Sequence, residues 1–537
     1  MVAARHILLI ALVVFLSCAA SLTGDFILDD HSIILNNNFI KNWKNFPLIF
    51  SRSYITAIDD IKVNQGSYGI GSGETTYRPV ATATYFVNYA ISGLKPFAYR
   101  SLNLSLHIIN AILAYLLFNL LFSNRQLALF SALFFGMHPV NAEVISCTGY
   151  RPNSLVLLFI LLTVILHFKF KPAALLAFIA ALFSKEIAVF LPLALAICDL
   201  YYFNFDFRKA AANVRWYILY FLTGLVYVFI YFTFAPPGQE IFRFTALGGN
   251  LIRMLNALGF YLKELIFPFE PVYIFPAAIK NSYLMSGLGL AAIFAGIYTV
   301  KKMKVWKEAS FAVLWFFLWL LPLNNFIGSF RVGLAYRFLY IPLLGFALLL
   351  GLFLVKARQG KGRIFLQIPV LKCMLPFALL GYFFILSVSA SVLWKNEMFL
   401  SQAAVERYPL NPLAHIERSR VLILSGRYAE ARLELESALS LADPHAVISD
   451  YDRAKAHILY GIIYTQDKDY ARAEQAYLKA SGLLPQAAIV YTQLAILYDI
   501  QGMRQKALEE LEKARRVNPG YVPAYVESEF LKGAAGQ

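Results

Sequence analysis

The chain has 537 residues, of which 59% are hydrophobic and 15% charged, with a formal net charge of +16. This balance excludes a soluble protein of that size and points to many membrane spans. The Lys and Arg excess would suggest nucleic acid in a soluble chain, but here it clusters in short loops between apolar runs, so the positive-inside rule accounts for it and no nucleic-acid partner is expected.

The first apolar run, about 5–23, follows Arg5 and ends near Ser17-Cys18-Ala19-Ala20. It is predicted as an uncleaved first span. Signal cleavage is the alternative, and it would cut Asp29 and Asp30 loose from the membrane. A long polar segment, 24–100, then forms a first outer loop. Trp43, Phe46 and Phe50 lie among its polar residues, which suits helices on a membrane surface. Gly66 to Gly73 reads as a flexible loop without phosphate-loop spacing. Further apolar runs come at about 101–122, 127–140, 153–168, 172–184, 187–203, 214–234, 283–300, 309–326, 334–355 and 369–394. The stretch 247–268 is ambiguous. Reading it as re-entrant or interfacial places Arg125, Lys169, Lys171, Arg208, Lys209, the Lys301-Lys302-Met303-Lys304 cluster and the Lys356 to Arg363 run all inside. The charge rule thus selects about eleven spans, amino end inside and carboxyl end outside. Cys18, Cys147, Cys198 and Cys373 lack CxxC spacing and suggest small buried hydrophobes.

After Trp394 the composition turns charged, Ala-rich and amphipathic. Ala454, Gly461, Tyr464, Ala473, Tyr477, Ala480 and Pro485 are followed by Ala488, Ala495, Tyr498, Ala507, Leu511, Ala514 and Pro519, each 34 residues further on. That is the tetratricopeptide period. An earlier copy begins near Pro412, with Tyr428, Ala431, Leu435 and Ala438. The expected fold is therefore all-α: a polytopic membrane domain over 1–400, a linker over 401–411, and an α-solenoid over 412–533. The solenoid divides into repeats at about 412–445, 454–487 and 488–521 and a capping helix at 522–533.

Charged residues beside a membrane core need a reason. On the predicted outer side they are Asp29, Asp30, Arg78, His138, Glu143, Arg151, Lys185, Glu186, Arg331 and Arg337, with Tyr340 beside them. Cations there suit a phosphate or pyrophosphate at the membrane surface, and a carboxylate beside it could take the proton from an attacking hydroxyl. Plainer readings exist for each. Asp29-Asp30 could cap an interfacial helix. His138 could be a turn residue satisfied by backbone, Lys185-Glu186 a local ion pair, and Arg331 and Arg337 headgroup anchors. Asp29, Asp30 and His31 could hold a divalent metal, although neighbouring residues often point apart. The chain has no Walker motif, zinc-ligand spacing or nucleophile elbow, and no cytoplasmic nucleotide-sugar domain is expected, so if a sugar is transferred its donor should be membrane-borne.

Taken in order, these motifs resemble the transmembrane and tetratricopeptide-repeat O-mannosyltransferases of the GT-C superfamily. The matching pieces are Asp25-Phe26-Ile27-Leu28-Asp29-Asp30, Tyr77-Arg78-Pro79, Asn88-Tyr89-Ala90, Asn103 and His107. His138-Pro139-Val140-Asn141-Ala142-Glu143-Val144, Arg151, Ser184-Lys185-Glu186, Tyr336-Arg337-Phe338-Leu339-Tyr340-Ile341-Pro342 and Trp394-Lys395-Asn396-Glu397 continue the series. Asn141 stands where the family pattern often has His, and Tyr150-Arg151-Pro152 replaces a more usual Gly-Arg-Ala. The resemblance implies transfer of mannose or another hexose, with inversion, from a polyprenyl-phosphate donor to an acceptor hydroxyl. Asp29 would be general base, with Asp30 orienting the acceptor or supporting Asp29. Arg78, His138, Arg151, Lys185 and Arg337 would meet the donor phosphate, with Glu143, Glu186, Arg331 and Tyr340 of second rank. The repeats would present a protein or glycan acceptor. Few repeats and short loops lean towards a bacterial-type relative in the inner membrane with its repeats extracytoplasmic; a eukaryotic source would place it in the endoplasmic reticulum. No cofactor is required by this reading, though a divalent metal stays open. Two other functions compete: a non-enzymatic repeat scaffold for envelope or secretory proteins, and a lipid-linked sugar transporter.

Overall fold

A computed structural model describes residues 2–51, 77–234, 247–269, 271–274, 283–302, 306–320, 334–359, 369–441 and 449–517. The described residues are predominantly helical, with no strand among them. They divide into two compact units. The first holds Met1–Phe26, Tyr77–Tyr273 and Ile279–Lys395; the second holds Ile27–Thr76, Ile274–Ala278 and Asn396–Gln537.

In the first unit, four helical stretches are of spanning length and apolarity over Val2–Thr23, Pro96–Phe122, Thr148–Lys169 and Val214–Phe234, and a fifth covers Met374–Leu393. A sixth candidate is a bent pair, Arg125–Gly136 with Pro139–Ser146, which turns by 50°. Other apolar runs form shorter helices. Lys171–Ser184 has 14 residues. At about 1.5 Å per residue such a helix reaches roughly 21 Å, short of a hydrocarbon core of about 30 Å. The ambiguous stretch forms one helix, Leu247–Ile266. It lies close against Tyr283–Lys302, because Gly259 and Gly289 carry no side chain where the partner backbone passes.

The Pro96–Phe122 helix is the axis of this unit. Arg100, Asn103, His107 and Asn110 recur at spacings of three and four residues, so they form one stripe, and all four are fully buried. Buried polar groups must be partnered. The partners here are mostly backbone carbonyls, several of them at helix ends and breaks. Arg100 donates to the carbonyls of Ser21, Asp25, Trp394 and Lys395. Gly24 is obligatory beside it: a Cβ there would lie 2.5 Å from the guanidinium carbon. Asn103 donates to Val144 O at 3.2 Å. His107 bonds Gly136 O at 2.9 Å and the Tyr340 hydroxyl at 2.8 Å. Asn110 donates to Ser154 O at 2.9 Å. The bent segment after Gly136 is thus held by side chains from one straight helix. Cys18, Cys147 and Cys198 are buried free thiols, while the side chain of Cys373 lies outside the described residues.

In the second unit three helix pairs stack in sequence. They are Pro412–Leu424 with Tyr428–Ser440, Asp450–Gln466 with Tyr470–Leu483, and Ala488–Ile500 with Arg504–Val517. The periodic small residues Ala454, Ala473, Ala480, Ala488, Ala495, Ala507 and Ala514 are all buried between them. The array is preceded by a further helix, Glu397–Arg407, capped by Asn396, whose side chain accepts the Phe399 N–H at 3.0 Å. The stretch 401–411 expected as a linker is therefore helical as far as Arg407, because the Asn cap starts a helix ahead of the repeat period. The predicted capping helix 522–533 and the Gly66 to Gly73 loop lie outside the described residues.

Candidate functional site

Three of the expected cations of the first unit, Arg78, Lys185 and Arg337, fall into one chain of contacts that passes the start of the Arg151–Lys169 helix. Arg78 immediately precedes the Pro79–Ser92 helix. Its guanidinium forks onto Glu186, with Nη2 to Oε1 at 2.9 Å and Nε to Oε2 at 3.2 Å. Burial pushes the Glu186 carboxyl up, but the Arg78 and Lys185 charges outweigh it and hold the group at about 2. Lys185, extended at the end of Lys171–Ser184, donates to Asn153 Oδ1 at 2.6 Å. Asn153 in turn donates to Tyr150 O at 2.9 Å. The ring of Tyr150 lies under the Arg337 guanidinium, 4.3 Å from its centre. Arg337 pairs with Glu143 at 2.5 Å, and its backbone N–H reaches the other oxygen of Glu143 at 2.8 Å. One connected group therefore contains Glu186, Arg78, Lys185, Asn153, Tyr150, Arg337 and Glu143.

Other expected site residues are placed differently. Arg151 is fully buried. Its Nε donates to Asn103 Oδ1 at 2.8 Å, Nη1 to Thr84 Oγ1 at 2.8 Å and Nη2 to Tyr99 O at 3.2 Å, with the ring of Tyr85 alongside. It ties three helices together. His138 bonds Leu265 O through Nε2 at 3.0 Å, and its Nδ1 accepts from Val140 N–H at 3.4 Å, so both ring nitrogens are satisfied by backbone. Tyr340 is buried, bonded to His107 and Asn110 in the polar stripe. Arg331 lies outside the described residues.

The carboxylate pair belongs to the second unit. The Asp30 residue is buried, and its Oδ2 accepts the backbone N–H of Ile27 at 3.1 Å. It precedes the helical turn His31–Leu35 without a side-chain capping bond. Asp29 is half-buried. Between Ile27 and Asp29, Leu28 adopts a left-handed φ of 51°. His31 is directed at Glu397, 3.2 Å away, so it and Asp30 address different partners. Among the described residues no three of His, Cys, Asp and Glu converge as a metal-holding group.

Several residues of these networks escape a reading of the sequence. Arg100 opens an apolar helix, and the spacing Arg100, Asn103, His107 and Asn110 is a legible signal for a buried polar stripe. Asn153 and Tyr150 carry no charge and give no such signal. Glu397 sits in a family-like motif that assigns it no role.

Residues 454–486 match the tetratricopeptide repeat family. Over 458 residues the chain is 24% identical to a protein O-mannosyl-transferase of Caenorhabditis elegans, which covers 81% of this chain and 62% of the worm protein. It is 31% identical over 150 residues to the human protein O-mannosyl-transferase TMTC1, covering 26% of this chain and 15% of that protein. A Drosophila melanogaster protein O-mannosyl-transferase, Tmtc3, is 24% identical over 262 residues, 45% of this chain and 27% of the relative. The chain thus spans less than two thirds of the length of each of these relatives.

Proposed function

We propose that this chain is a membrane glycosyltransferase. It moves a hexose, mannose by similarity to the relatives' names, from a polyprenyl-phosphate donor to an acceptor hydroxyl on the extracytoplasmic side. The reading takes the membrane domain as about eleven spans with the amino end inside. In a bacterium the membrane is the inner one; in a eukaryote it is the endoplasmic reticulum.

The observation that carries the reading is the joined group of Arg78, Lys185 and Arg337, balanced by Glu186 and Glu143. Two planar guanidinium forks and one ammonium form a set suited to phosphate oxygens. Asp29 is assigned the base. It takes the proton from the acceptor hydroxyl, whose oxygen attacks the anomeric carbon. The bond from that carbon to the phosphate oxygen breaks, its electron pair stays with polyprenyl phosphate, and the cations stabilise the growing charge. A single displacement inverts the anomeric centre. Arg151, His138 and Tyr340, at most 1% exposed where the Arg78 and Arg337 side chains keep 11% and 14%, are assigned to holding the fold around this group rather than to touching phosphate. The repeats are assigned to acceptor presentation.

The test is a transfer assay on membranes with a panel of polyprenyl-phosphate sugars, wild type beside Asp29→Asn. Wild type should transfer and the variant should not, at equal abundance and insertion. Undiminished transfer by the variant would remove Asp29 from the chemistry.

A further inference from the structure

Leu28 stands out in the segment that carries the carboxylates. A leucine in left-handed backbone is uncommon and persists only where its surroundings hold it. Glu397 is the holding group. The Leu28 N–H donates to Glu397 Oε1 at 2.6 Å, and the same oxygen lies 3.2 Å from His31 Nε2. The second oxygen, Oε2, accepts from Arg420 Nη2 at 2.8 Å. On the other side of the turn, Asp30 takes the Ile27 N–H. Asp29 therefore sits in a turn clamped before and after it.

The clamp does not end at Glu397. Arg420 Nε pairs with Glu417 Oε2 at 2.8 Å, and Glu417 pairs with Lys455. Glu417 and Arg420 lie on the first helix of the first repeat, and Lys455 lies on the first helix of the second. Burial alone would raise the Glu397 and Glu417 carboxyls, yet the cations facing each outweigh it and hold both low. Both carboxylates thus stay charged across the neutral range.

We propose that Glu397 is a positioning residue. It fixes the left-handed turn that presents Asp29 and links that turn, through Arg420, Glu417 and Lys455, to the first two repeats. The repeat array then sets the rate of transfer as well as the choice of acceptor. This inference rests on the glycosyltransferase reading for its kinetic consequence but not for its structural one.

The experiment uses the full chain in detergent or nanodiscs, with Glu397→Ala, Glu397→Gln and Lys455→Met. Amide hydrogen exchange is followed in a peptide covering Leu28 to Leu35. Transfer is followed with polyprenyl-phosphate mannose as donor probe. Glu397→Ala should speed exchange in that peptide at least tenfold. It should lower kcat at least tenfold with the donor KM within twofold. Glu397→Gln, which keeps an acceptor for the Leu28 amide, should recover part of both. Lys455→Met, remote from the turn in sequence, should speed the same exchange severalfold. Unchanged exchange in Glu397→Ala, or a raised donor KM with unchanged kcat, overturns the positioning role. Unchanged exchange in Lys455→Met overturns the link to the repeats. Should Glu397→Ala fail to accumulate, Glu397→Gln takes its place: faster exchange with lowered kcat supports the positioning role, and unchanged exchange overturns it. If wild type transfers no sugar from this probe or from any other polyprenyl-phosphate sugar of the panel, the enzymatic reading falls, while the exchange measurements still decide the role of Glu397 in the turn.

Discussion

Gly461 allows the packing of the repeats to be tested with a single methyl group. A Cβ at this position would lie 2.6 Å from Tyr477 Cζ and 2.7 Å from Cδ1, closer than carbon atoms tolerate. The Tyr477 ring is 2% exposed and has little room to move. The equivalent pairs in the other repeats are Ser419 with Leu435 and Ala495 with Leu511. Glycine thus appears where the knob is tyrosine, and a larger residue appears where it is leucine. Gly461→Ala gains about 1 kcal/mol of helix propensity and loses up to about 3 kcal/mol to overpacking. With both of these ring atoms closer to the added carbon than ordinary contact allows, the loss should dominate, leaving a net destabilisation of about 1–2 kcal/mol. That is roughly a 5- to 30-fold rise in local opening. Hydrogen exchange of the full-length protein, read in peptides within Asp450–Leu483, measures it. Gly461→Ala with Tyr477→Leu copies the pairing of the next repeat, so the double variant should be less damaged than the sum of the singles by at least about 1 kcal/mol. A neutral or stabilising single, or an additive double, would refute the knob-and-hole account.

Two further outcomes are expected. Glu143→Gln leaves the Arg337 guanidinium, only 14% exposed, without its facing carboxylate; thermal unfolding in detergent should show a loss on the order of 3 kcal/mol, largely recovered by Glu143→Met with Arg337→Met. His415 is bonded to Glu434 at 2.6 Å, and that bond raises its pKa despite partial burial. A raised folded pKa gives stability that is complete below the unfolded value of about 6.5 and is lost as pH rises through the folded value. Exchange in Pro412–Ser440 should therefore quicken from pH 6 to pH 8 beyond the intrinsic rate, and His415→Asn should abolish that excess.

The repeats are legible in sequence because their period is fixed by small residues that must sit between helices, and every such Ala in the second and third copies is buried. The membrane helices are legible in place but not in kind. An apolar run of fourteen residues, such as Lys171–Ser184, reads the same in sequence whether it crosses a bilayer or packs beside a longer helix. The charged group of the first unit is half legible. Arg78, Lys185, Glu186, Glu143 and Arg337 announce themselves by charge beside apolar runs. Tyr150 and Asn153, which join them, are ordinary residues in sequence, and only tertiary placement makes them a bridge. Arg151 shows the reverse: its charge suggests a ligand contact, whereas its donors go to Asn103, Thr84 and Tyr99.

The adjacent carboxylates illustrate how backbone geometry can separate two identical side chains. Side by side in sequence, Asp29 and Asp30 offer no ground for dividing a task. The left-handed turn at Leu28 supplies one. It brings the Ile27 amide round to Asp30, whose buried carboxylate uses one oxygen to close the turn. Asp29, half-buried and next to Leu28, has its backbone carbonyl taken up by Ile33 N–H at 2.9 Å and Ser32 Oγ at 3.1 Å. Its main chain is thereby fixed on both sides. A general base needs a fixed origin more than it needs a particular neighbour, since proton transfer succeeds only over hydrogen-bond distances. In the proposed mechanism Asp30 and Glu397 supply the rigidity, and proton transfer is assigned to Asp29. The proposed division of labour follows from where a single leucine is forced to turn.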